Sequence, residues 1–166
     1  MIKKTFFGIL AMLALVCAGS WYFIHQNQAQ AVKAEARKTY IKSSRPTIFF
    51  HGWGSSSRAE RHMANAAKKA GVTQTIIEAK VAEDGTVTLK GTIPKDAVNP
   101  IVLVNFDNNR GASTQDQGNY AYAVVKALQD TYGITEMNMV AHSYGNMAIV
   151  YYMLQHGSDM SLPKLR

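Results

Sequence analysis

Ser143, set in Ala141-His142-Ser143-Tyr144-Gly145, is the residue of this chain best placed to do chemistry. A serine hydroxyl is a weak nucleophile. It needs a base to take its proton and N–H donors to hold the oxyanion that forms. The pentapeptide is a nucleophile-elbow pattern, Gly-x-Ser-x-Gly with alanine at the first position. Ala141 and Gly145 are small, as a strand and a helix meeting closely around a serine require. The apolar run Met137 to Ala141 predicts the strand before it, and the apolar helical pattern Asn146 to Leu154 predicts the helix after it. Ala-x-Ser-x-Gly alone is a weak signal, but in that setting it becomes more specific.

A second motif raises the specificity. His51-Gly52-Trp53-Gly54 closes an earlier apolar run, Thr47-Ile48-Phe49-Phe50. A turn at the end of such a strand is where the other oxyanion donor of an elbow serine originates. The expected donors are the backbone N–H groups of Trp53 and Tyr144. One such donor is worth about 3–4 kcal/mol of transition-state stabilisation. The plain alternative for His-Gly-Trp-Gly is a glycine-rich turn with no chemistry. The two motifs in order, each behind a strand, favour the hydrolytic reading.

The base and the acid are harder to find. His142 adjoins Ser143, so its side chain is expected to point away from the serine. His156 lies about 20 Å down the following helix. His51 belongs to the oxyanion loop, His62 to a helix surface and His25 to the membrane boundary after the N-terminal apolar stretch. Asp107 falls at the C-terminal end of a strand, the active-edge side of a parallel sheet, where it is expected to touch substrate or brace a loop. Asp159 reads as part of a solvated turn. The expectation is therefore a nucleophile without its histidine and carboxylate, and a serine in that state keeps only oxyanion and binding effects.

The elements that position these residues follow from pattern. Thr47 to Phe50 reads as a buried strand. Ser57-Arg58-Ala59-Glu60 fits a capping box opening a helix that runs to about Ala70 and stops at Gly71. Thr75 to Val81 and Thr86 to Gly91 flank Glu83-Asp84-Gly85, a hairpin signal. Ile101 to Phe106 reads as a strand buried on both faces, with Asp107 to Gly111 as the loop at its end. Asp116 to Tyr132 carries a helical stripe of Tyr120, Val124, Val125 and Leu128, with Gly133 as its stop. Residues 158–166 predict no element. Met137 to Ala141 is then an unprotected sheet edge, which invites pairing with other chains.

Three segments, His51-Gly52-Trp53-Gly54-Ser55-Ser56, Asn105-Phe106-Asp107-Asn108 and Ala141-His142-Ser143-Tyr144-Gly145-Asn146, make the chain from Pro46 to about Leu154 resemble the α/β-hydrolase superfamily. Within it they resemble a Gram-positive cell-surface hydrolase family of unknown function, DUF915. The resemblance implies lipase- or esterase-like acyl chemistry on an ester or lipid substrate. It covers the N-terminal part of such a domain. The implied fold class is α/β: a mostly parallel sheet with flanking helices and one hairpin insertion, cut short after the nucleophile helix.

The N-terminus reads differently. Lys3 and Lys4 precede an apolar stretch from Phe6 to Ile24, about 28 Å long as a helix and close to a bilayer core. An uncleaved anchor is favoured over a cleaved signal, although Ala29-Gln30-Ala31 offers a small-x-small cleavage site. Lys33, Arg37, Lys38 and Lys42 outnumber Lys3 and Lys4, which by charge counting would keep the C-terminus inside. The short basic start looks like an export signal, and the reading adopted is a domain outside the cell. The expected organisation is residues 1–25 as membrane or signal segment, 26–45 as linker and 46–166 as partial hydrolase domain. Cys17, the only cysteine, lies in the apolar stretch and permits no intrachain disulfide.

The chain is basic, with a net charge of +7. Its lysines and arginines are scattered, with no basic stripe interleaved with aromatics, so nucleic acid is not an expected partner. A solvated surface explains most of the charge, with attraction to anionic lipid or cell wall as the alternative. Metal and cofactor signals are absent, and the chemistry needs neither. Two non-default possibilities stay open: a non-catalytic surface binding module, and completion of the fold by a partner chain.

Overall fold

A computed structural model describes the backbone of residues 2–166, and the side chains of residues 12, 14–31 and 40–166. The chain divides into two compact units, residues 1–40 and residues 41–166. In the first, helix α1 spans Ile2–Thr39, so the backbone is helical through most of the expected linker. Among the described residues no helix is long and apolar enough to cross a membrane. The expected span, residues 6–24, lies partly outside the described side chains.

The second unit is built on a six-stranded sheet in the order β3-β2-β4-β1-β5-β6. Strand β1 is Thr47–Phe50, helix α2 Arg58–Ala70, and β2 Ile76–Val81. They are followed by β3 Val87–Lys90, β4 Ile101–Phe106, α3 Thr114–Tyr132 and β5 Glu136–Ala141. A short 3₁₀ turn, Ser143–Gly145, leads into α4 Asn146–His156, and β6 is Lys164–Leu165. Every pairing is parallel except the β2–β3 hairpin. The hairpin sits where Asp84-Gly85 predicts it, with Gly85 at φ 85.

Alternation along the strands splits the core by face. Ile48 and Phe50 are fully buried with Val102, Val104 and Phe106 under α3 and α4, whose Tyr120, Val124, Leu128, Ala148 and Tyr152 meet them. Phe49, Ile101 and Leu103 face Ala64 and Ala67 of α2 on the other side. β4 is covered on both faces, as its unbroken apolar sequence requires. Each fully buried aliphatic or aromatic side chain here contributes about 1.5–3 kcal/mol relative to exposure.

Two sequence expectations are corrected. The capping box at Ser57 does not form: Ser57 itself is helical, at φ −52 and ψ −14, with no side-chain cap. Its hydroxyl instead donates to Glu78 Oε2 at 2.9 Å, and Glu60 turns inward to 2% exposure. Burial of the glutamate and an acceptor on the neighbouring strand outcompete a local bond worth about 1 kcal/mol. Residues 158–166 do contain an element. Leu162 is buried, Lys164 N–H donates to Thr135 O at 2.9 Å, and Arg166 N–H to Met137 O at 3.0 Å. The resulting β6 pairs with β5 at Glu136 and Met137 only. Past that point the β5 edge is open, and Val140 is 39% exposed.

Candidate active site

The C-terminal ends of β1 and β5 are neighbours in the sheet, with Phe50 in register with Ala141. That register brings the two glycine-containing motifs together. Ser143 follows β5 at φ 53, one of two non-glycine residues with positive φ among those described. A side chain held in the left-handed region is strained, by about 1–3 kcal/mol, and persists only where its surroundings enforce it. The enforcement is visible on both sides. His142 N–H donates to Phe50 O at 3.3 Å, and Gly145 N–H to His142 O at 3.1 Å. A Cβ on Gly145 would stand 2.6 Å from both Phe50 O and His51 O, so only glycine lets the helix start this close to β1.

The turn after β1 is held against the elbow. A Cβ on Gly52 would lie 3.1 Å from Ser143 Cβ and 3.1 Å from His142 Cε1. Neither the Trp53 nor the Tyr144 backbone N–H is used in the surrounding turn hydrogen bonds. Gly54 N–H, one residue on, donates to Asn109 O at 2.8 Å, and Asn109 Nδ2 donates to Ser55 O at 2.8 Å. The Trp53 indole donates to Arg110 O at 3.1 Å, and the Arg110 guanidinium lies 5.1 Å from its ring centre. The loop after β4 therefore clasps the loop after β1.

His51 is the internal fastener of this turn. Its Nε2 accepts the Phe106 N–H at 3.1 Å, so Nδ1 carries the proton and donates to Gly52 O at 2.8 Å. Both ring nitrogens are committed, and His51 is no base for Ser143. Burial pushes its pKa below 6.5; the Gly52 carbonyl and the Glu60 charge act against that, and His142 acts with it.

His142 is exposed and faces Glu60 rather than forming a hydrogen bond with Ser143, its Nδ1 being 3.4 Å from Glu60 Oε1. His156 stacks on Tyr122 at 4.2 Å at the far end of α4. His62 is exposed on α2. Asp107 is bound by Lys80 at 3.0 Å. Asp159 closes its own turn by accepting from the Ser161 N–H and hydroxyl, which hold its carboxyl below the usual range. Among the described residues no histidine makes a hydrogen bond with Ser143 Oγ. A cavity of about 720 Å³ lined by Arg45, Lys95, Tyr132 and Glu136 opens at the opposite rim of the sheet, away from the elbow.

Sequence reading missed Glu60 and the clasp. Glu60 carried a plausible local role as a cap, which concealed its burial. Asn105 has a visible role only in three dimensions: its Oδ1 accepts Ser57 N–H at 3.1 Å, fixing the start of α2 to the end of β4.

A mostly parallel sheet with flanking helices, and a left-handed serine between strand and helix, define the α/β-hydrolase class. The chain belongs to the alpha/beta hydrolases of unknown function designated DUF915, whose family model matches residues 34–166. A gene product from Listeria innocua has a similar structure, at 28% identity and a TM-score of 0.69, over 75% of this chain and 49% of that one. A Lactobacillus plantarum protein described as a "putative cell surface hydrolase" shares the fold, at 22% identity and a TM-score of 0.57, over 70% of this chain and 47% of its own. The chain thus spans about half the length of the solved structures it matches. No curated protein matches it.

Proposed function

We propose that residues 46–166 carry the nucleophile half of a serine hydrolase site acting on an ester or related acyl bond, on an exported or surface-displayed domain. Ser143 attacks the acyl carbon, and the N–H groups of Trp53 and Tyr144 receive the oxyanion. The observation that carries this reading is Ser143 at φ 53 with the Gly52 turn packed on its Cβ. Family membership supports a hydrolase; the serine-ester chemistry is our own step. The surface placement draws on the description of the Lactobacillus relative and on the apolar stretch Phe6 to Ile24, read as anchor or export signal.

Deacylation and fast acylation also require an imidazole that no described residue brings to Ser143 Oγ. The chain by itself is therefore expected to turn over ester poorly or not at all. A fluorophosphonate probe should label Ser143 slowly, and free imidazole added as a surrogate base should accelerate that labelling. Ser143→Ala should abolish it. No labelling of Ser143 even with imidazole would overturn the nucleophile assignment. Rapid labelling without imidazole would show that a base is already on the chain. A non-catalytic binding module on the same fold is the alternative, favoured by the unpartnered Ser143 hydroxyl; it predicts no imidazole effect.

A further inference from the structure

Glu60 is the most anomalous charged residue of the domain. It is 2% exposed, and its Oε2 has no hydrogen-bond partner. Burying a carboxylate without a partner costs several kcal/mol, so such a group is normally paired or neutralised. The candidates for pairing are few. Arg61, beside it on α2, is taken by Glu78 at 2.7 Å. His51 has both nitrogens committed. His142, with Nδ1 at 3.4 Å from Glu60 Oε1, is the one left.

His142 is also the ring that touches the oxyanion turn. Its Cε1 lies 3.1 Å from where a Gly52 Cβ would stand, on the same point that Ser143 Cβ approaches. Its backbone is tied into the elbow through Phe50 O and Gly145 N–H. The imidazole therefore bridges α2, the Gly52 turn and the end of β5. We propose that Glu60 and His142 form a positioning pair: the buried carboxylate orients the His142 ring with its Nδ1 proton inward, and the ring walls the Gly52–Trp53 turn so that the Trp53 N–H stays aimed beside Ser143. His142 is a positioning residue here and not the base, because it makes no hydrogen bond with Ser143 Oγ. The inference rests on the reading of this turn as an oxyanion donor, but its geometry is testable without any turnover.

Three measurements on the full chain test it. Long-range proton–nitrogen NMR at neutral pH should show His142 protonated at Nδ1, and Glu60→Gln should shift the neutral tautomer toward Nε2–H. Amide exchange at Gly54 and Ser55, which make the turn's own hydrogen bonds, should quicken about tenfold in His142→Ala. Val102 and Val104 in β4 should keep their protection. His142→Asn, whose amide can stand in for Nδ1–H, should recover most of the loss. Imidazole-assisted labelling of Ser143 should slow about tenfold in His142→Ala and follow the same rescue. An unchanged tautomer in Glu60→Gln, or unchanged exchange at Gly54 and Ser55 in His142→Ala, overturns the pair. If wild type is never labelled while both NMR signatures appear, the nucleophile reading fails and the pair stands.

Discussion

His51 shows how one side chain ties the loop after β1 to the sheet. Its neutral ring accepts from Phe106 N–H and donates to Gly52 O. Protonation would set an Nε2–H against the Phe106 N–H and break that arrangement. Burial is the main cause of its lowered pKa. Well above pH 6.5, the ordinary histidine value, the ring is neutral in folded and unfolded chains alike, and it adds no pH dependence. Below that, the unfolded chain takes up the proton first, so stability falls until the folded pKa is reached. The urea midpoint should therefore drop as the pH falls through about 6.5, and His51→Gln should flatten that slope. An equally steep slope in the variant would remove His51 as its source.

At the scale of elements, two helix starts look alike in sequence and differ in space. Ser113 caps α3 with a full box: its hydroxyl accepts Asp116 N–H at 3.1 Å, and Asp116 Oδ2 accepts Ser113 N–H at 2.9 Å. Ser57 at α2 has the sequence of a box and forms none, because its hydroxyl binds Glu78 and its own N–H is taken by Asn105. Ser113→Ala should cost about 1 kcal/mol in urea unfolding. Ser113→Gly should cost less, as glycine is a tolerated N-cap. Ser57→Ala should cost the same as Ser57→Gly or less, since no cap is lost and glycine adds helix-propensity cost. A stability pattern at Ser57 like that at Ser113 would contradict the observed geometry. The sheet repeats the lesson at β6, where two residues of strand and a buried Leu162 shield only the first part of β5.

For the whole molecule, residues 41–166 form a compact unit with a core on each face of the sheet, while residues 1–40 form another. A chain beginning at Ile41 should therefore remain soluble enough to show one cooperative urea transition, monitored by Trp53 fluorescence. Trp53 is then its only tryptophan, since Trp21 lies in the removed segment. A non-cooperative transition, or recovery only as aggregate, would mean that the open β5 edge at Val140 outweighs the core.

The sequence by itself determined the order of elements from β1 to α4, the hairpin, the elbow at Ser143 and the glycine turn before it. These depend on periodicity and on backbone demands set within a few residues, and both are written locally. Its reading of Glu60 as a cap and of residues 158–166 as featureless was overturned, because long-range partners decide those positions. The register of Phe50 with Ala141 is what brings His51, Gly52 and Ser143 together, and the packing of α2 on the sheet is what carries Glu60 to His142. Neither is encoded at a fixed spacing, since a buried carboxylate finds its partner only after the strands and helices have closed around it.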